Sequence, residues 1–233
     1  MKKHILLLLI SSIFITSCSS DSSNKMIVNG TISGLQKGTL YLQKMQDTIL
    51  TSVDSIQLIG QNTFELIDEN TEIEIYYLTL KEKEKEKISF FSEKGTITIN
   101  SKLDKFVTSA IITGSKAQKL LEEYKSMTDQ FSGKRLDLIK ETFEAQATKD
   151  DELIEKSDKN LRRLIKNRYL YSANFSIKNA NSEVAPYIAL TELYDANLSL
   201  LDTVNNSLSE KIKVSKYGKR LDAFVKDIKE NEK

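Results

Sequence analysis

The hydrophobic period of this chain changes at Gly114, from about two residues per repeat before it to about 3.6 after it. One kind of layer cannot satisfy both periods, so the chain must build strands first and helices afterwards. Six of the eight glycines lie at or before Gly114, and β-branched residues crowd the same half. Alternating runs predict strands at Met26–Ile32, Thr39–Lys44, Thr51–Leu58, Thr63–Leu66, Ile73–Leu80, Ile88–Ser92, Thr96–Asn100 and Phe106–Thr113. Gly34 and Gly38 bracket the first turn, and Gly60-Gln61-Asn62 and Glu93-Lys94-Gly95 read as hairpin turns. Lys81 to Lys87 alternates Lys and Glu without exception, which suits a solvated hairpin tip that also discourages edge pairing.

Beyond Ser115 the spacing of Leu120, Tyr124, Met127 and Phe131 marks one helix face. Gly133 is expected to interrupt that helix before Leu138, Ile139 and Phe143 resume the stripe. Asp150 and Asp151 favour the positive end of a second long helix, striped by Ile154, Leu161, Leu164, Ile165, Arg168, Tyr171 and Phe175. A short connection makes the pair an antiparallel hairpin. Arg162, Arg163, Lys166 and Arg168 recur about once per turn and are expected to lie mostly on the wet face. Asn181-Ser182 caps a third helix with Pro186 near its start, and shorter helices follow to Ile228. The fold class is therefore α+β: an antiparallel β-sandwich or partly open barrel over residues 26–114, then an all-helical region over 115–233.

The N-terminus carries a separate message. Lys2 and Lys3 precede an apolar run from Ile5 to Ile15 that is too short to span a bilayer as a mature helix. Residues 1–17 read as an export signal ending at Ile15-Thr16-Ser17-Cys18, which resembles the bacterial lipoprotein box. In that class the signal is removed before the cysteine, whose sulfur and amine are then acylated. Cys18 is the expected lipidation site, and residues 18–25, rich in Ser and carrying Asp21, form a polar tether. Several acyl chains on one residue would hold the protein on a membrane almost permanently, since one chain alone binds with only about 10⁴ M⁻¹.

The same cut narrows the chemistry. His4 is the only histidine and Cys18 the only cysteine, so the processed chain would keep no imidazole and no free thiol. Cys/His nucleophile pairs, CxxC redox chemistry and Cys/His zinc sites are thereby excluded. Charge is balanced, with 34 Lys+Arg against 33 Asp+Glu, which gives no electrostatic reason to expect nucleic acid.

A group of short motifs carries a family resemblance. They are Ile27-Val28-Asn29-Gly30-Thr31-Ile32-Ser33-Gly34-Leu35, Gly38-Thr39-Leu40-Tyr41-Leu42, and Phe91-Ser92-Glu93-Lys94-Gly95-Thr96-Ile97-Thr98-Ile99. Ile112-Thr113-Gly114-Ser115-Lys116, Asn181-Ser182 and Ser215-Lys216-Tyr217-Gly218-Lys219 complete the set. The chain resembles Gram-negative bacterial lipoproteins whose first domain, domain of unknown function 4369, precedes a thioredoxin-like domain of the AhpC/TSA type. The resemblance implies an N-terminal domain of that kind; the thioredoxin-like domain is expected to be absent here, and its CxxC has no counterpart.

These readings converge on a membrane-anchored envelope lipoprotein, most simply in the outer membrane facing the periplasm, because Ser19 rather than Asp follows Cys18. A non-catalytic binding or scaffolding role with a protein or glycan partner is expected, without a cofactor or metal. An accessory role to a separate thiol-disulfide redox or envelope-maintenance protein is the alternative. A carboxylate-dependent hydrolase is a minor one, because nothing marks two carboxylates as converging. Asp47-Thr48-Ile49, Asp54-Ser55-Ile56 and Asp202-Thr203-Val204 have the form of a bacterial O-glycosylation acceptor.

Overall fold

The computed structural model describes residues 25–69 and 72–231. Among the described residues, eight strands precede six α-helices: β1 (Met26–Ser33), β2 (Lys37–Gln46), β3 (Ile49–Ile59), β4 (Thr63–Asp68), β5 (Ile75–Leu80), β6 (Lys87–Phe91), β7 (Gly95–Lys102) and β8 (Ile111–Thr113). The helices are α1 (Lys116–Thr148), α2 (Asp151–Lys178), α3 (Val184–Glu192), α4 (Leu198–Ser207), α5 (Glu210–Lys213) and α6 (Lys216–Asn231). The strands form two four-stranded sheets, β4-β1-β7-β8 and β3-β2-β5-β6. Their inner faces bury Val28, Leu40, Leu42, Leu66, Leu78, Phe90, Ile97 and Ile99 in one core, the arrangement of a sandwich.

Four local outcomes differ from the sequence expectation. The sheets are mostly antiparallel, but β1 and β7 run parallel, Met26 opposite Gly95 through Ser33 opposite Lys102. Gly60–Asn62 and Glu93–Gly95 are not hairpin turns. Each carries the chain from one sheet to the other, β3 to β4 and β6 to β7. Turn residues permit a reversal without specifying which sheet receives the next strand. The predicted strand Phe106–Thr113 shortens to Ile111–Thr113, because Leu103–Lys105 forms a 3₁₀ turn that plugs Phe106 into the sandwich core. Finally, Gly133 does not interrupt α1, which is continuous over 33 residues.

Lys81–Lys87 does join β5 to β6 as a hairpin tip, its first residues Lys81–Lys83 coiled into a 3₁₀ turn. Gly30 shows why one position in β1 tolerates no side chain: a Cβ there would lie 1.8 Å from the Ile99 carbonyl oxygen on β7. Across the sandwich end, Asp68 on β4 accepts hydrogen bonds from Tyr76 (2.6 Å) and Lys44 (2.8 Å), a clasp between the two sheets.

Candidate functional site: the joint and the helix hairpin

The two halves meet at a joint made from the short motifs themselves. Phe91, fully buried at the end of β6, packs edge-on against Tyr187 of α3 at 5.2 Å, and its N–H donates to Gln118 Oε1 at 2.9 Å. Ser92 Oγ accepts from the Glu74 N–H at 2.9 Å. Glu93 then places its carboxylate on the N–H groups of Lys116 and Ala117, where the α1 dipole favours an anion, while Ser115 caps Gln118 N–H at 3.0 Å. From the other end of the chain, Tyr217 Oη accepts from the Ile75 N–H at 3.0 Å. Lys216 forms an ion pair with buried Glu74 and donates to the Met45 carbonyl at 2.9 Å. Gly218 lets α6 approach, since a Cβ there would stand 1.9 Å from the Ile212 carbonyl oxygen. Burial pushes the Tyr187 and Tyr217 phenols above their ordinary pKa. A cleft of about 270 Å³ opens beside this joint, with Tyr77, Tyr187, Thr191 and Arg220 on its walls.

From the joint, α1 and α2 leave as an antiparallel hairpin. Its seam holds small or polar residues: Ala145, Ser157, Ser172 and Ser176 are buried along it, while Ala173 packs into the core shared with α3, α4 and α6. Tyr124 fixes the root, bonding Ser172 Oγ at 2.6 Å and packing on Tyr171 and Phe175. Burial drives its pKa up to about 12 against a smaller lowering by Ser172. Further out, two helices alone cannot cover every apolar side chain. Leu136 is 68% exposed and Phe143 67%, with half-buried Ile139 between them. On α2, Ile154, Leu161 and Ile165 are half-buried at +7 and +4 spacing. Ser132 and Arg135 of α1 line the same cleft as Ile165 and Tyr169 of α2, so these flanks look to one side. That root cleft, about 320 Å³, also takes Arg168, Tyr194 and Asp195 into its wall.

Cys18, the signal 1–17 and the tether up to residue 24 lie outside the described residues; Lys25, the first described, passes its carbonyl to the Gly95 N–H at 3.0 Å. Arg162, Arg163 and Lys166 are exposed, whereas Arg168 is half-buried and pairs with Glu192 at 3.2 Å. Thr48 sits in the exposed β2–β3 turn and Ser55 in the middle of β3. Thr203 turns its hydroxyl back onto the Ser199 carbonyl at 2.6 Å. The root cleft was not legible in the sequence, since its residues come from α1, α2 and the turn between α3 and α4. A spaced Arg-and-aromatic pattern at Arg135, Arg168, Tyr169 and Tyr194 was the only available signal. Among the described residues, no group of three or more His, Cys, Asp or Glu could hold a metal, and no helix is long and apolar enough to cross a membrane.

Residues 26–121 match the family model described as a domain of unknown function, DUF4369. No curated protein matches the chain. A solved structure titled pT26-6p is similar over 84% of this chain at 10% identity and a TM-score of 0.23, and the chain spans 42% of that structure's length. The segment from Met26 to Leu121, both sheets and the first turns of α1, thus belongs to the DUF4369 family of domains.

Proposed function

We propose that this protein is a membrane-tethered envelope lipoprotein, held through Cys18, that serves as a non-catalytic docking module rather than as an enzyme. What supports the reading most is the α1–α2 hairpin: two helices of 33 and 28 residues whose outer parts keep Leu136 and Phe143 two-thirds exposed beside a lined cleft. Exposed apolar residues grouped on one face mark a contact surface, and singly scattered ones do not. The polar groups of the joint are already committed to each other, as Glu74 to Lys216 and Glu93 to the start of α1, which suits a fixed pedestal better than a reacting centre.

The experiment places a photo-crosslinking residue at Leu136 or Tyr194 in the full chain and irradiates living cells. The expected outcome is a discrete adduct from these positions and none from Gln57, exposed on β3 of the sandwich. No adduct of any kind from the hairpin positions would overturn the docking role.

A further inference from the structure

We infer that the occupant of the hairpin face is a second copy of this chain, two hairpins stacking face to face with their tips pointing in opposite directions to form a four-helix bundle. This rests on the docking role argued above and names its partner.

Charge is ordered along α2. Residues 150–158 contain five acidic side chains and one basic, whereas 159–168 contain five basic and no acidic. On the rim of the apolar face, Asp151, Glu155, Asp158, Arg162 and Lys166 follow one another at helical spacing of 4, 3, 4 and 4, and all five are exposed. None of the five forms an ion pair within the described residues. Such a helix repels a parallel copy of itself and complements an antiparallel one. With a two-fold axis crossing the hairpin near Asn160, Asp158 stands opposite Arg162 of the other copy and Glu155 opposite Lys166, reciprocally, as an isologous contact requires.

The apolar residues obey the same operator. Asn160 lies about as far from the hairpin turn as Ile139 does on α1, so the Leu136, Ile139 and Phe143 stripe meets itself reversed. The acidic tip at Asp150 and Asp151 then reaches, about 14 Å from the axis, the level of Arg168 and Tyr169 in the root cleft of the other copy. The overlap spans about 22 residues of each helix. At 1.5 Å per residue and about 10 Å per helix width, this is roughly 650 Å² per copy, or about 1,300 Å² in total, within the range of stable specific interfaces.

The test is sedimentation velocity of the full chain in a mild detergent over a concentration series. A dimer is expected, with at least a roughly tenfold weaker constant for Leu136→Asp with Phe143→Asp. Two charge variants carry the decisive arm. Asp151→Lys, Glu155→Lys and Asp158→Lys together leave the rim wholly basic; Arg162→Glu and Lys166→Glu together leave it wholly acidic. Each variant alone is expected to be monomeric, and the two mixed to form a heterodimer, while far-UV circular dichroism of all stays unchanged. A wild type that is monomeric to about 100 μM, or a dimer indifferent to both charge sets, overturns the inference. So does a monomer whose Leu136 and Phe143 are needed for flotation with phosphatidylethanolamine–phosphatidylglycerol vesicles, which assigns the face to lipid. A monomer that still gives a hairpin adduct to a different protein in cells sinks the self-pairing and leaves the docking role standing.

Discussion

Ser157 has its hydroxyl sealed in the α1–α2 seam, with no partner among the described residues. A buried polar group left unbonded costs about 1–3 kcal/mol, so Ser157→Ala should raise stability by about 1 kcal/mol, measurable as a higher urea midpoint at constant slope. Tyr124 gives a pH signature. Its phenol titrates near 10 in an unfolded chain and at about 12 in the fold, so between those values the folded state holds the extra proton. Its contribution is complete below pH 10 and is lost as pH rises towards 12, on the order of 2–3 kcal/mol in total. Alkaline unfolding should therefore steepen above pH 10, and Tyr124→Phe should flatten that fall while costing about 1 kcal/mol at neutrality for the lost Ser172 bond. The seam itself was poorly legible in the sequence. Hydropathy points to Ile154 and Leu161, yet Ser157, Ser172 and Ser176 are the buried ones, because small side chains let two backbones approach while polarity disguises them. Arg168 was correctly read as part of the α2 stripe; its half-buried pairing with Glu192 needs α3, which no local pattern supplies.

At the level of elements, the strands and helices were legible because period and turn chemistry agree, whereas the connections between sheets were not. Glu93-Lys94-Gly95 has the composition of a hairpin turn, but Phe91 is drawn into the joint and Glu93 onto the end of α1, and these two contacts send the chain across to β7. Glu93→Ala should cost about 1 kcal/mol through the lost helix-end anion and bring down α1 helicity, checked by circular dichroism and thermal melting. Gly133 shows the opposite error. A glycine in a helix weakens it without ending it, and here a Cβ would meet nothing within 4 Å. Gly133→Ala should therefore stabilise α1 by about 0.5–1 kcal/mol, seen as a raised melting temperature.

Taken whole, the molecule is joined by a third cluster of apolar residues to which both halves contribute: Ile75 and Phe91 from strands, Leu121, Tyr124, Val184, Ile188 and Tyr217 from helices. A shared core predicts one cooperative unfolding transition with equal calorimetric and van't Hoff enthalpies, and two separable peaks in a calorimetric scan would refute it. Tethering through Cys18 predicts incorporation of labelled palmitate that Cys18→Ala abolishes; an unlabelled chain would remove the anchor from the account.

The start of β1 at Met26 lies beside Gly95, two residues from the carboxylate that caps α1. Thus the chain comes into the fold at the corner from which the long hairpin departs. Thirty-three helical residues reach about 50 Å, whereas the seven steps from Cys18 to Lys25 reach at most about 25 Å. A bilayer gripping the amino terminus would sit near the foot of this mast and beyond reach of its far end. An antiparallel partner would bring its own foot to that far end, so a pair of such masts would hold its two anchors at opposite ends of the bundle.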